Sequence, residues 1–268
     1  MPEPSSPSPG VPPPAAWVRP PVENLVWNGW DVLLIVGLTL VTMVVSQLII
    51  LLGAHRFVYP HLPLSDVAQQ PILLLVSQFL IDAAVALYMF LLVEGKYRAR
   101  FWRVIQWNWP QAEWRLLGLG VLLLVGLSML ESVLPMPKQT PFEKLFARPR
   151  DAYLLSIIAI SLGPLVEELF FRGMLYPVIV RRMGVFWGII LAALPFALMH
   201  LPQYGYAWVA MLVIFIVGVV CGAVRAATRS VAASFLVHVG YNGAQMLIAV
   251  VATHGFRNIP KAIAVCLL

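Results

Sequence analysis

Long runs of apolar residues, separated by short polar and proline-containing segments, make up most of the chain after residue 30. A transmembrane helix needs about 20 predominantly apolar residues, because each residue adds about 1.5 Å to a helix that must cross about 30 Å of hydrocarbon. The runs that reach or approach this length cover residues 31–54, 71–93, 116–134, 152–176, 185–201, 205–224 and 230–252. The pattern therefore predicts an all-α, polytopic membrane helix bundle of about seven transmembrane helices.

The composition agrees with a membrane protein. Of the 268 residues, 60% are hydrophobic and 11% are charged, against roughly one quarter charged in ordinary soluble domains. A net charge of +6 is compatible with nucleic-acid binding, but the Lys and Arg residues lie mainly between the apolar runs, where they orient helices in a bilayer. We therefore expect the lipid bilayer as a partner and no nucleic acid.

The distribution of basic residues predicts the orientation. If the seven spans alternate in direction, the side that holds the N-terminus collects more Lys and Arg than the other side. Because cytoplasmic loops carry the excess of these residues, we expect a cytoplasmic N-terminus, in an integral protein of a prokaryotic plasma membrane.

Ionisable residues within a membrane span are costly, so they are the first candidates for function. In the fourth span, Glu168 and Arg172 are four residues apart and share a helical face, where the guanidinium can neutralise the carboxylate. Glu167 points about 100° away around the helix and lacks this partner. A carboxylate without a partner in an apolar environment is suited to accept and return a proton.

Two further spans carry polar residues at helical spacing. Phe196 and His200 share one face of the fifth span, and His238 and Asn242 share one face of the seventh. Together with Glu167, these side chains suit activation of a water by a Glu and a His, and stabilisation of an oxyanion by a His and an amide. Proteolysis is a reaction of this kind. Each residue taken alone is better explained as a hydrogen bond between helices, and it is the combination of carboxylates and histidines that favours a catalytic function.

Three sequence motifs resemble those of a known family. "EELFFR" (residues 167–172), "FALMH" (196–200) and "HVGYN" (238–242) are similar to the EExxxR, FxxxH and HxxxN motifs of the CPBP family of intramembrane proteases. That family includes type II CAAX prenyl endopeptidases and bacteriocin-processing or self-immunity proteins. The resemblance implies that Glu167 and His200 activate water, and that His238 and Asn242 form the oxyanion site. It implies supporting roles for Glu168, Arg172 and Phe196.

This reading divides the chain into four regions. Residues 1–22 are predicted to be a disordered Pro-rich tail, 23–150 to be N-terminal membrane helices, 151–252 to be the catalytic membrane core, and 253–268 to be a C-terminal tail. The expected substrate is a membrane-associated protein or peptide, prenylated or unprenylated, that enters a cavity open to the cytoplasmic side.

For the chemistry we favour a glutamate-dependent mechanism without a cofactor. Zinc is the alternative, because two carboxylates and two imidazoles are suitable ligands, although the chain has no HExxH motif. A zinc site would use Glu167, Glu168, His200 and His238.

Two other functions fit the same polar residues. A non-proteolytic immunity or binding protein would use the cavity to hold a partner, and a transporter would use Asp82, Glu131 and the Glu pair as a proton relay. The simplest reading of Asp82 and Glu131 is a contact between helices or a water-lined cavity.

The predicted spans also contain a conflict. On straight helices Glu167 and His238 fall toward the cytoplasmic half, whereas His200 falls near the opposite end of its span. The sequence therefore requires either a bend at Pro164 and Pro195 or a fifth span that begins deeper in the membrane.

Overall fold

A computed structural model describes residues 25–135, 141–146 and 148–258 of the chain. The predicted disordered tail, residues 1–22, and the last ten residues of the predicted C-terminal tail lie outside these ranges. Within them the regular structure is helical, with no strand. Its α-helices are α1 (Gly29–Phe57), α2 (Leu64–Ala68), α3 (Pro71–Phe90), α4 (Phe101–Val104), α5 (Glu113–Glu131), α6 (Pro149–Ile160), α7 (Leu162–Glu168), α8 (Tyr176–Met183), α9 (Val185–Leu198), α10 (Trp208–Thr228) and α11 (Val231–Ala252).

Six helical segments of the described chain are long and apolar enough to cross a membrane. They are Gly29–Phe57, Pro71–Lys96, Glu113–Glu131, Pro149–Met183, Trp208–Thr228 and Val231–Ala252. The remaining predicted span corresponds to the shorter apolar helix Val185–Leu198. The prediction of an all-α, polytopic helix bundle is confirmed.

The fourth span is longer and less regular than the sequence predicted. It breaks at Ser161, between α6 and α7, because Pro164 has no N–H to continue the hydrogen-bond ladder and its ring crowds the preceding turn. It continues through a π-helical segment, Leu169–Leu175, and then through α8 to Met183. The predicted end at residue 176 was therefore too early.

This extension explains how Glu167 and His200, which the predicted spans placed at different membrane depths, come together. The fourth and fifth spans form a hairpin that turns at Gly184, where a φ of 85° suits glycine. Glu167 lies 17 residues before this turn and His200 lies 16 residues after it. Because nearly equal separations from a tight turn place residues of two antiparallel helices at a similar depth, the two side chains come close to each other, with Glu167 Oε1 3.9 Å from His200 Nε2.

The helix that carries His238 is fixed by a direct contact between backbones. A Cβ atom built on Gly240 of α11 would lie 2.3 Å from the carbonyl oxygen of Leu117 in α5. A Cβ atom on Gly120 of α5 would lie 2.2 Å from the carbonyl oxygen of Val237. Small residues allow this approach, which is a common way for membrane helices to associate.

Polar contacts join the start of the first span to the end of the second span and to the fourth. The indole Nε1 of Trp27 donates a hydrogen bond to the carbonyl oxygen of Met174 (3.1 Å). At the start of α1, the Asp31 carboxylate accepts from Lys96 Nζ (2.5 Å) and from the Tyr97 hydroxyl (2.6 Å). These contacts join the beginning of the first span, the end of the second and the π-helical segment at one end of the bundle.

Candidate active site

A cavity of about 490 Å³ lies within the bundle between α1, α3, α6, α7, α9, α10 and α11. Its walls include all four residues predicted to be catalytic, Glu167, His200, His238 and Asn242. Three separate spans therefore bring these side chains to one space, as the motif spacing predicted. Phe196 also lines this cavity, whereas Glu168 and Arg172 lie behind it in the protein interior.

The Glu167 carboxylate lies between two imidazole rings. Its Oε1 atom is 3.9 Å from Nε2 of His200, and its Oε2 atom is 3.7 Å from Nε2 of His238. Its side chain is 19% exposed. Both separations are too long for a direct hydrogen bond, and each is short enough for one water molecule to contact both atoms.

The backbone sets the tautomer of His200. Its Nδ1 atom is 2.8 Å from the carbonyl oxygen of Phe196, one helical turn earlier. Because a carbonyl can only accept, Nδ1 carries a proton, and in the neutral imidazole the Nε2 lone pair is free. Two hydrogen-bond acceptors, Nε2 of His200 and Oε1 of Glu167, thus face each other across a narrow gap.

Behind this pair lies a buried charge network. Glu168 is fully buried, and its Oε1 atom accepts from Nη1 of Arg172 (2.9 Å). The same oxygen is 3.0 Å from Nδ1 of His238, which donates to it. Arg172, 1% exposed, also donates from Nη2 to the carbonyl oxygen of Gly218 (2.8 Å). Glu168 therefore orients the His238 ring, and Arg172 holds Glu168 in place.

Phe196 connects the parts of this site. Its ring centroid lies 5.1 Å from that of His200 and 5.7 Å from that of His238, both in edge-on geometry. The guanidinium carbon of Arg172 lies 4.6 Å from the same centroid, within the range of a cation–π interaction. One aromatic side chain therefore packs against both imidazoles and the arginine, while its carbonyl orients His200.

The Asn242 side chain is hydrogen-bonded to the fourth span just before its break at Ser161. Its Nδ2 donates a hydrogen bond to the carbonyl oxygen of Ala159 (2.7 Å), which lies in the last turn of α6. An amide nitrogen carries two hydrogens, so one N–H fixes the side chain and the other is left to serve a group in the cavity.

The predicted zinc ligands do not form one compact donor set. Among the described residues, the group whose ligand atoms lie within 4.8 Å of one another is Glu168, Cys221 and His238. In this group the Glu168 oxygen already accepts from Arg172 and from Nδ1 of His238. A guanidinium beside the carboxylate and a proton on the imidazole nitrogen both oppose a cation there. This group does not fit a zinc ion.

The cavity lies toward the end of the bundle away from the start of α1. Its lining extends to Pro141 and Leu145, which precede α6, and to Pro202 and Gln203, which follow α9. With alternating spans, these loops are on the side opposite the N-terminus. If the cavity opens at this end, it faces the cytoplasm only when the N-terminus lies on the other side of the membrane.

Several polar residues in the cavity wall were not predicted to belong to the site, among them Gln78, Asp82 and Gln245. Asp82 had been interpreted as a helix contact or as part of a water-lined cavity, and it lines this cavity together with Gln78. Gln245 does so as well, and its buried Nε2 has no hydrogen-bond partner. The signals were present in the sequence, because Gln78 precedes Asp82 by four residues and Gln245 shares a helical face with His238 and Asn242.

Comparison with known proteins identifies the C-terminal half of the chain. The family model of the Rce1-like type II CAAX prenyl endopeptidases matches residues 149–244, a segment that contains all three motifs. Neither the curated proteins nor the solved structures give a match. The matched segment begins with the fourth span and ends in the seventh, so it includes every candidate catalytic residue. Residues 149–244 therefore match the type II CAAX prenyl endopeptidases, a family of intramembrane proteases, as the three motifs predicted.

Proposed function

We propose that the protein is a glutamate-dependent intramembrane endopeptidase that hydrolyses a peptide bond of a membrane-associated protein or peptide. The observation that carries this proposal is the pair of acceptors formed by Glu167 Oε1 and His200 Nε2, 3.9 Å apart. Two acceptors that face each other at this distance need a donor between them, and a water molecule can donate one hydrogen to each. Such a water is oriented and polarised for attack on a carbonyl carbon.

The chemistry follows from this arrangement. As the water oxygen attacks the carbonyl carbon, Glu167 takes one proton, and the C=O double bond becomes a C–O⁻ single bond. His238 and Asn242 lie where they can donate hydrogen bonds to this oxyanion. Because Nδ1 of His238 already donates to Glu168, Nε2 can donate to the oxyanion when the ring carries both protons. Glu167 then returns this proton to the nitrogen of the leaving amine, the C–N bond breaks and the C=O double bond forms again.

The substrate class follows from where the site lies. The catalytic groups are within the bundle, so the scissile bond must be brought to membrane depth by an anchor on the substrate. A lipidated C-terminus or a transmembrane segment would supply such an anchor. We propose substrates of this class, prenylated or unprenylated.

Cleavage of a panel of prenylated and unprenylated peptides by the purified protein tests this proposal. We expect mass spectrometry to show specific cleavage, and we expect the rate in excess chelator to stay within about twofold, because the proposed proton transfers use only Glu and His side chains. Loss of cleavage in chelator, with recovery on adding zinc, would instead establish a metalloprotease. Tight binding of peptides without turnover would favour the immunity or binding function.

The side from which the substrate enters can be tested with single cysteines. In a Cys266→Ser background that keeps the buried Cys221, we place one cysteine by Gln203→Cys at the cavity end and one by Arg181→Cys at the other end. The excess of basic residues near Arg181 predicts that this end is cytoplasmic. An impermeant maleimide should therefore label Gln203→Cys in intact cells, and Arg181→Cys only after permeabilisation. The reverse pattern would place the N-terminus outside and open the cavity to the cytoplasm.

A further inference from the structure

Asp82 of α3 is a buried carboxylate in the cavity wall with one oxygen left unpaired. The residue is 5% exposed. Its Oδ1 atom accepts a hydrogen bond from Nε2 of Gln78 (2.8 Å), whereas its Oδ2 atom is buried and has no hydrogen-bond partner. The catalytic arrangement described above makes no use of this residue. An unsatisfied buried carboxylate oxygen is costly, so its persistence in a cavity indicates a partner that arrives with a ligand.

The protein itself supplies no cation to this position. Among the described residues that line the cavity, none is Lys or Arg. The buried guanidinium of Arg172 lies outside the cavity lining and is already bonded to Glu168 and to the Gly218 carbonyl. A second carboxylate, that of Glu167, lines the same cavity and interacts electrostatically with Asp82. The carboxylates of Asp82 and Glu167 together attract positive charge in the cavity and oppose a negatively charged group.

We propose that Asp82 forms a specificity subsite for a Lys or Arg side chain of the substrate, close to the scissile bond. This proposal rests on the proposed proteolytic function. The cationic head would pair with the Asp82 carboxylate, whose Oδ1 atom is held by the amide of Gln78. Because Asp82 and Glu167 share one cavity, the basic residue lies within a few positions of the bond that is cut. A free C-terminal carboxylate would be unfavourable at this position.

Paired peptides test the subsite. Each pair has the same membrane anchor and differs only by Lys or by its uncharged analogue norleucine at one position near the cleavage site. For the wild type we expect kcat/KM at one position to be at least about tenfold higher for Lys, the size of effect expected for a charge pair shielded from water. With Asp82→Asn this ratio should fall to about one.

Two variants control for the fold and for charge. Asp82→Glu keeps the carboxylate and should keep a preference for Lys. Glu131→Gln removes another buried carboxylate, which lies at the end of α5 and does not line the cavity, and it should leave the preference unchanged. A Lys preference that survives in Asp82→Asn, or that is absent from the wild type at every position, would overturn the subsite.

A binding measurement separates this proposal from the proposed function. Fluorescence anisotropy with labelled peptides reports affinity whether or not cleavage occurs. If no peptide is cut but the Lys peptide binds more tightly in an Asp82-dependent way, proteolysis fails and the cationic subsite stands. If peptides are cut without charge preference, and Asp82→Asn shifts only the pH profile, Asp82 shares a proton with Glu167 and the subsite is wrong.

Discussion

Replacement of Glu167 by glutamine should lower kcat for peptide cleavage by at least about a thousandfold, with little change in stability. Glutamine has nearly the same shape as glutamate, so the packing between His200 and His238 is preserved. Its amide cannot take a proton from water, and its NH₂ group would donate to His200 Nε2 in place of the water. The loss should appear in single-turnover rates, because it affects bond cleavage and not product release.

The control for this prediction is Glu131→Gln, which makes the same chemical change at a buried carboxylate outside the cavity. It should keep its cleavage rate within about twofold, since it alters no group that contacts the water or the substrate. Thermal unfolding of both variants in detergent reports whether they fold. If folded Glu167→Gln retained a tenth or more of the wild-type rate, Glu167 would not be the base.

Replacement of Arg172 by methionine should lower the free energy of unfolding by about 3–5 kcal/mol. The guanidinium compensates a fully buried carboxylate, with Nη1 of Arg172 2.9 Å from Oε1 of Glu168. Methionine leaves that charge buried without the guanidinium that compensates it, and it also removes the hydrogen bond to the Gly218 carbonyl. Chemical or thermal unfolding in detergent measures the loss.

A double variant separates the stability role of this pair from its role in the site. Arg172→Met combined with Glu168→Leu removes both charges, and we expect it to recover most of the lost stability, because an apolar pair of similar volume replaces a buried ion pair at little cost. Its cleavage rate should stay low, because His238 has lost the carboxylate that orients it. As a surface control, the exposed Arg115→Met should change stability by about 0.5 kcal/mol or less. Stability that did not recover in the double variant would contradict a simple charge pair.

The sequence predicted the features that depend on local spacing. The spans follow from the length of apolar runs, and the Glu168–Arg172 pair follows from a separation of four residues within one helix. The end of the fourth span was missed because an apolar run marks where the hydrocarbon ends, whereas the helix continues to Met183 through Arg181 and Arg182. Hydropathy shows which residues lie in the hydrocarbon. Where a helix continues beyond the bilayer, its end has to be predicted from capping and turn residues instead.

Contacts between distant segments were beyond the sequence pattern. The spacing of polar residues in α3 does not show that Asp82 faces the same cavity as Glu167. This depends on the orientation of α3 about its own axis relative to α7. The same holds for the 2.7 Å hydrogen bond from Asn242 to Ala159, which needs the break at Ser161 to expose that carbonyl. Such contacts depend on how the helices pack, and one sequence alone does not show which residues of two packed helices meet.

The contact between Gly120 and Gly240 affects how the cavity can be modified. Because α5 and α11 meet backbone to backbone, the wall that carries His238 and Asn242 can neither slide nor rotate without a steric clash. The opposite wall, where Gln47, Ser77 and Gln78 line the cavity, contributes side chains that can be exchanged. A redesign of the substrate range should therefore keep α11 unchanged and vary the side chains of α1 and α3 that line the cavity.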